Sequence, residues 1–242
     1  MKPILTGIVY TVVLSLGIFP LALQLSALAQ PTIYSVGTLP GWNGDYITGV
    51  SDAGTSNILG STMTVGETFR IDNGDALVTS IAFPLQTSPP QAADAGPLNF
   101  QVGVAAWNGV QPTGPLLYLS GQLVGLDNAW QNYLLTPSNL VLNQGQQYVL
   151  FFTGINYLDG LESESALGYL SGNPYPDGQI FFLGYGGTSV TFNDLFVHGW
   201  TTEVGDLAFQ IDYQTIPEPG VIVLLGFGSV FLIMRYKFGH AK

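Results

Sequence analysis

Ala76-Leu77-Val78-Thr79-Ser80-Ile81-Ala82-Phe83-Pro84-Leu85-Gln86 decides the fold. Its side chains sort at a period of two, with Leu77, Thr79, Ile81, Phe83 and Leu85 on one face and Val78, Ser80, Ala82 and Pro84 on the other. That period belongs to a strand with one wet side, and the first set is predicted to face the core. Working outward, short runs rich in Val, Ile, Thr, Phe and Tyr recur between Gly, Asn, Asp and Pro. They predict strands at Thr32 to Val36, Ser61 to Ile71, Ala76 to Gln86, Asn99 to Ala106, Leu116 to Val124 and Gln131 to Leu134. Further strands are predicted at Gln147 to Phe152, Leu167 to Leu170, Gln179 to Leu183, Val190 to Val197 and Val204 to Tyr213. Phe100, Val102 and Val104 share a face, as do Tyr148, Leu150 and Phe152, and Leu207, Phe209 and Ile211; these are the candidate core. Around Met63, Val65, Thr68, Phe69 and Ile71 the alternation slips near Gly66, which predicts a bend or bulge. No stretch of the body, Gln30 to Tyr213, keeps a helical period for three turns. The pattern is that of an all-β chain, a single antiparallel β-sandwich with helical turns only as connections.

The ends differ from the middle. Met1 to Ala29 has Lys2, an apolar core from Ile4 to Leu25 and the small residues of Ala27-Leu28-Ala29, the order of a secretory signal peptide cut before Gln30. At the other end, Pro217-Glu218-Pro219 holds an acid on an extended strip. An uncharged run from Gly220 to Met234 follows, then Arg235, Lys237 and Lys242. As a helix that run extends roughly 22 Å, a little short of a bilayer's hydrocarbon core, and flanking Tyr236 and Phe238 make up the difference. The expected transmembrane helix covers about residues 220–238, with the cations holding its end in the cytoplasm. The division is thus a signal peptide at 1–29, an ectodomain at 30–213 and a tail at 214–242, with Asp212 to Ile216 as the only linker.

Gln30 to Ile216 is enough chain for one domain with a full core. It carries one cation, Arg70, against fifteen carboxylates, a net charge of about −14. Such a surface repels phosphate backbones, which argues against nucleic acid as a partner. The chain has no cysteine, so disulfides, thiolate metal sites and cysteine nucleophiles are excluded.

Pro217-Glu218-Pro219, the apolar run and the basic end, in that order, resemble the PEP-CTERM sorting tail. The resemblance implies that an exosortase, a membrane enzyme, cuts near the motif and delivers the body to the cell surface or the extracellular polysaccharide. A second resemblance runs through the body. Gly66-Glu67-Thr68-Phe69, Ile81-Ala82-Phe83, Val104-Ala105-Ala106-Trp107-Asn108-Gly109, Pro112-Thr113-Gly114-Pro115-Leu116-Leu117-Tyr118, Gly145-Gln146-Gln147-Tyr148-Val149-Leu150 and Asp206-Leu207-Ala208-Phe209 follow an order similar to the jelly-roll ectodomains carried by such tails. It implies a jelly-roll-like fold with carbohydrate-binding modules as structural relatives, and it carries no binding residue across.

Chemistry-bearing groups are sparse. Asp72-Asn73-Gly74-Asp75 admits two readings, a calcium loop using Asp72 and Asp75 or a plain hairpin turn; without the later Glu of an EF-hand the turn is favoured. Asp159, Glu162 and Glu164 read as a solvated acidic loop before a cation site or a paired acid and base. His198 stands without a second histidine or a nucleophile set. Trp42, Trp107, Trp130, Tyr175, Tyr185 and Trp200 sit on turn-rich segments. Trp42, Trp107, Tyr175 and Trp200 are the candidate ligand-binding residues, since rings beside amides suit sugars, and packing is the competing reading. The expectation is an exported, non-enzymatic surface or matrix protein without cofactor. The alternative is a carbohydrate-binding module, with calcium as its only candidate ion.

Overall fold

A computed structural model describes residues 32–52, 64–87, 97–125, 129–158, 164–183 and 191–216. The strands form two sheets whose pairings are all antiparallel. The first sheet contains β1 (Ile33–Gly37), β2 (Tyr46–Ser51), β4 (Ala76–Thr87), β8 (Gln131–Leu135), β9 (Val141–Leu142), β11 (Glu164–Leu170), β14 (Asp206–Leu207) and β15 (Gln210–Thr215). The second contains β3 (Thr64–Arg70), β5 (Leu98–Trp107), β6 (Pro112–Leu119), β7 (Leu123–Gly125), β10 (Gln147–Thr153), β12 (Ile180–Leu183) and β13 (Thr201–Glu203). Phe69, Phe83, Phe100, Tyr148, Leu150, Phe152, Phe209 and Ile211 meet between the sheets, which makes this an all-β sandwich. Among the described residues the helical pieces are single turns: Leu39–Gly41, Ile155–Tyr157 and α1 (Asp194–Val197).

The predicted alternation in β4 is half right. Ile81, Phe83 and Leu85 are buried, but below them Ala76 and Val78 point inward, while Leu77 and Thr79 lie at intermediate exposure. The register explains the change: Asp212 faces Ser80 and Tyr213 faces Val78, so Thr79 is an extra residue, a bulge that flips the phase. Thr79 Oγ1 donates to the Asp212 carbonyl at 3.0 Å and Ser80 Oγ to its carboxylate at 2.8 Å, tying the bulge to β15. Conversely, β3 has no bulge at Gly66, since its pairing with β10 runs unbroken from Thr64 to Arg70. Val65, Glu67, Phe69 and Ile71 share the core face, and the apparent slip arises because Glu67 occupies a core position.

The second sheet is buried on both sides. Ala105, Trp107, Val149, Phe151, Ile155, Phe181, Leu183, Leu195 and Trp200 form another apolar layer on its outer face. Phe151 lies between Gly66 on β3 and Gly103 on β5. A methyl on Gly103 would strike the Phe151 ring and one on Gly66 would come within 2.8 Å of Trp200, so the two glycines make room for the rings.

Other expectations need correction. Residues 191–197 are not a strand: Phe192, Leu195 and Phe196 have helical spacing, and Asp194 accepts from Thr191 N–H at 2.7 Å and Oγ1 at 2.8 Å in the turn that precedes the helix. The predicted strand at 116–124 is two strands, β6 and β7, and that at 204–213 is β14 and β15. β2, β9 and β13 were not anticipated. Asp72 to Asp75 is no hairpin, because β3 and β4 belong to different sheets and the turn is a corner between them. Asp212 to Thr215 is β15 itself rather than a linker, and Ile216 N–H still donates to the Asp75 carbonyl at 2.7 Å.

Candidate binding face

The outer face of the first sheet carries an aromatic group. Inward Leu85 and Leu167 leave Pro84 and Gly168 facing out, and β2 and β11 pair Tyr46 with Gly168. Trp42 lies over this spot; a methyl on Gly168 would come within 3.1 Å of its ring and 2.5 Å of Pro84, so only glycine lets the indole settle. Trp130, just before β8, packs edge-on against Trp42 with centroids 4.8 Å apart, and Tyr46 leans toward Trp130 at 6.4 Å. The loop beneath is held by short bonds. Trp42 Nε1 donates to the Asp45 carbonyl at 2.6 Å, Asp45 N–H to Asn43 Oδ1 at 3.1 Å, and Asn43 Nδ2 to the Asp45 carboxylate at 3.1 Å. Trp42 and Trp130 are half-buried, whereas Tyr46 is 67% exposed. Exposed Asn43, Asp45, Thr48 and Asn132 lie on the same loop and strands. Fixed rings next to amide, hydroxyl and carboxylate groups suit a ligand with one apolar and several polar faces, such as a sugar.

Of the candidate ligand-binding residues, only Trp42 belongs to this group; Trp130 and Tyr46 complete it. Trp107 and Trp200 are each 6% exposed in the outer layer of the second sheet. Their centroids are 5.8 Å apart, Trp107 packs on Phe181 at 4.4 Å, and Trp200 Nε1 donates to the Leu195 carbonyl at 3.0 Å. Both rings are packed into that layer, and Trp107 also borders a pocket beside Arg70. Tyr175 wedges between the sheets' ends: its ring meets Phe209 edge-on at 6.0 Å and its hydroxyl accepts from Arg70 N–H at 3.1 Å. Burial pushes that hydroxyl's pKa up to about 12. Tyr185 lies outside the described residues.

Asp75 accepts from Gln144 N–H at 2.9 Å and the Asp72 carbonyl from Gln144 Nε2 at 2.6 Å, so both serve to fasten the corner. Among the described residues no group of three or more His, Asp or Glu side chains comes together as a metal site would require. His198 lies on the surface, its Nε2 3.3 Å from Asp194 Oδ1. Asp159 and Glu162 lie outside the described residues, and Glu164 begins β11.

The sequence reading missed a buried acid pair. Glu67 and Asp206 are both fully buried, Glu67 on the second sheet and Asp206 on the first. Glu67 Oε2 accepts from Leu207 N–H at 3.0 Å and Asp206 Oδ2 from Tyr175 N–H at 2.9 Å. Desolvation raises the pKa of Glu67 well above the usual carboxylate range and raises that of Asp206 as well. Glu67 Oε1 and Asp206 Oδ1 receive no bond from any other group. Desolvation first and the neighbouring Asp206 second thus both favour the protonated form of Glu67. The only signal in the sequence was an acid in phase with Val65, Phe69 and Ile71.

The sorting residues Pro217, Glu218, Pro219, Arg235, Lys237 and Lys242, and the cleavage residues Ala27 and Ala29, lie outside the described residues. Among the described residues no helix is long and apolar enough to cross a membrane.

The chain matches no protein-family model and no curated protein. Among solved structures, it is similar to the cysteine protease and lectin-like domains of Cwp84, a surface layer associated protein of Clostridium difficile, at 10% identity and a TM-score of 0.41 over 78% of this chain and 37% of that one. A clostridial Cwp84 protease after propeptide cleavage gives 10% identity and 0.44, over 78% and 42%. Infectious bursal disease virus Gt strain gives 11% and 0.29, over 87% and 51%. The chain spans about half or less of each of these, and likenesses this distant carry no argument about its activity.

Proposed function

We propose that the chain is an exported, non-enzymatic surface or matrix protein with a jelly-roll-like body, sorted by an exosortase through its C-terminal tail. The observation that carries this reading is the ordered tail, Pro217-Glu218-Pro219, the uncharged run and the basic end. The body supports it in one respect. β1 and β15 pair with Ile33 opposite Gln214, so the residues next to both terminal segments leave one edge of the sandwich together. Strand β15 ends at Thr215, two residues before the motif, so the recognition strip follows the fold without a spacer. The test is replacement of Glu218 by Ala, or truncation after Ile216, in a host carrying an exosortase. Either change leaves the protein unprocessed or mislocalised on fractionation, and an unaltered mass and location would refute the reading.

A second reading is favoured by the Trp42, Tyr46 and Trp130 group: the body binds neutral polysaccharide on the outer face of its first sheet. A glycan array with the full chain in mild detergent tests it. Retention that Trp130→Ala abolishes supports the reading, and no retention by the parent counts against it.

A further inference from the structure

Arg70 is the body's one cation, and the sequence gives no reason for its survival among fifteen carboxylates. It closes β3 on the outer face of the second sheet, opposite Gln147 of β10, away from the aromatic group on the first sheet. It lines a pocket of about 280 Å³ with Thr68, Gln147 and Gln179 as polar neighbours and Trp107 and Phe181 as apolar wall. Such a volume, at the lower end of the roughly 300–1,000 Å³ of small-molecule sites, holds one ring-sized unit. The guanidinium is poorly used by the protein. Its Nε–H is buried without an acceptor, and Nη1 stands 4.0 Å from Asp177 Oδ1, a half-exposed pair at the outer limit of contact.

We infer that this pocket binds a carboxylate-bearing sugar, a uronic acid unit, with the carboxylate on the Arg70 guanidinium. The planar fork of an arginine matches a carboxylate in two parallel hydrogen bonds, here from the exposed end of the guanidinium. Side-chain amides of Gln147 and Gln179 and the Thr68 hydroxyl both donate and accept, as sugar hydroxyls require. Trp107 and Phe181, which also line the pocket, meet the sugar's apolar side. A phosphate dianion is a worse fit, because one guanidinium does not neutralise it while Asp177 and the acidic exterior repel it. Asp177 acts as an internal competitor, resting against Arg70 until a ligand carboxylate takes its place.

The experiment uses the full chain in mild detergent and methyl galacturonoside, a single uronic acid unit with one charge, with its methyl ester, acetate and inorganic phosphate as comparisons, by calorimetry at low salt. The uronoside binds; the ester, which lacks the charge, and acetate, which lacks the ring, bind about tenfold or more weakly, the scale of one charged hydrogen-bonded contact. Arg70→Gln removes binding, Arg70→Lys leaves it weakened, and the surface change Asp177→Asn strengthens it. Melting curves establish that Arg70→Gln is folded, and Asp177→Asn decides the matter if it is not. Undiminished binding in Arg70→Gln, no gain in Asp177→Asn, equal binding of ester or phosphate, or no binding of the uronoside would each overturn the assignment. Loss in Trp130→Ala with retention in Arg70→Gln would move acidic-sugar binding to the first sheet and likewise end it.

Discussion

Replacing Trp200 by Ala separates a structural layer from a ligand surface. The side chain is 6% exposed, lies over Gly66, and packs edge-on against Trp107 at 5.8 Å and Phe151 at 6.3 Å. Its Nε1–H satisfies the Leu195 carbonyl and so holds α1 against the sheet. Truncating a buried tryptophan costs about 3–5 kcal/mol, partly as a cavity that the rigid second sheet cannot fill. Trp200→Phe keeps most of the packing and loses the hydrogen bond, for about 1–2 kcal/mol. Urea unfolding of the full chain in mild detergent, followed by far-ultraviolet circular dichroism, reads both. A loss below about 1 kcal/mol in Trp200→Ala, the behaviour of a surface ring, would refute the view that the outer layer is core.

Gly103→Ala places a methyl into the Phe151 ring and is expected to lower stability by about 1–3 kcal/mol in the same measurement. Tyr46→Ala, at a 67% exposed position, changes stability by no more than about 0.5 kcal/mol but reduces retention on a neutral glycan array. Glu67→Gln alters pH dependence. Because burial raises the pKa of Glu67 in the folded state, its contribution is fully present below the ordinary value of 4.5 and is lost as pH rises through the elevated one. Melting temperature in the parent therefore falls over that window more steeply than in Glu67→Gln, and parallel profiles would contradict the raised pKa of Glu67.

Much of the sandwich was legible because β15 buries one face in alternation, and Phe100, Val102, Val104, Leu150, Phe152 and Ile211 are core as their spacing implies. Three things were not. The Thr79 bulge reverses the face of Val78 through pairing with a strand more than a hundred residues away, which no local pattern records. Glu67 reads as a phase slip because the groups that accommodate a buried carboxyl there, Leu207 N–H and Asp206, come from the other sheet. Trp107 and Trp200 look like loop residues because the layer that covers them is assembled from 191–200 and the ends of β5 and β12. Its trace in the sequence was the unalternating run Tyr148 to Phe152, a strand buried on both sides. The aromatic group on the first sheet was half legible: Trp42 stood out, but its meeting with Trp130 and Tyr46 needed β2, a strand interrupted by Gly49 and not anticipated.

The central claim, that the terminal segments direct an acidic β-sandwich out of the cell, is tested most directly by the intact mass of the protein recovered from its own host. The account predicts a chain that begins at Gln30 and has lost Arg235, Lys237 and Lys242. A 242-residue polypeptide with both ends in place, dissolved in the cytosol, would contradict it.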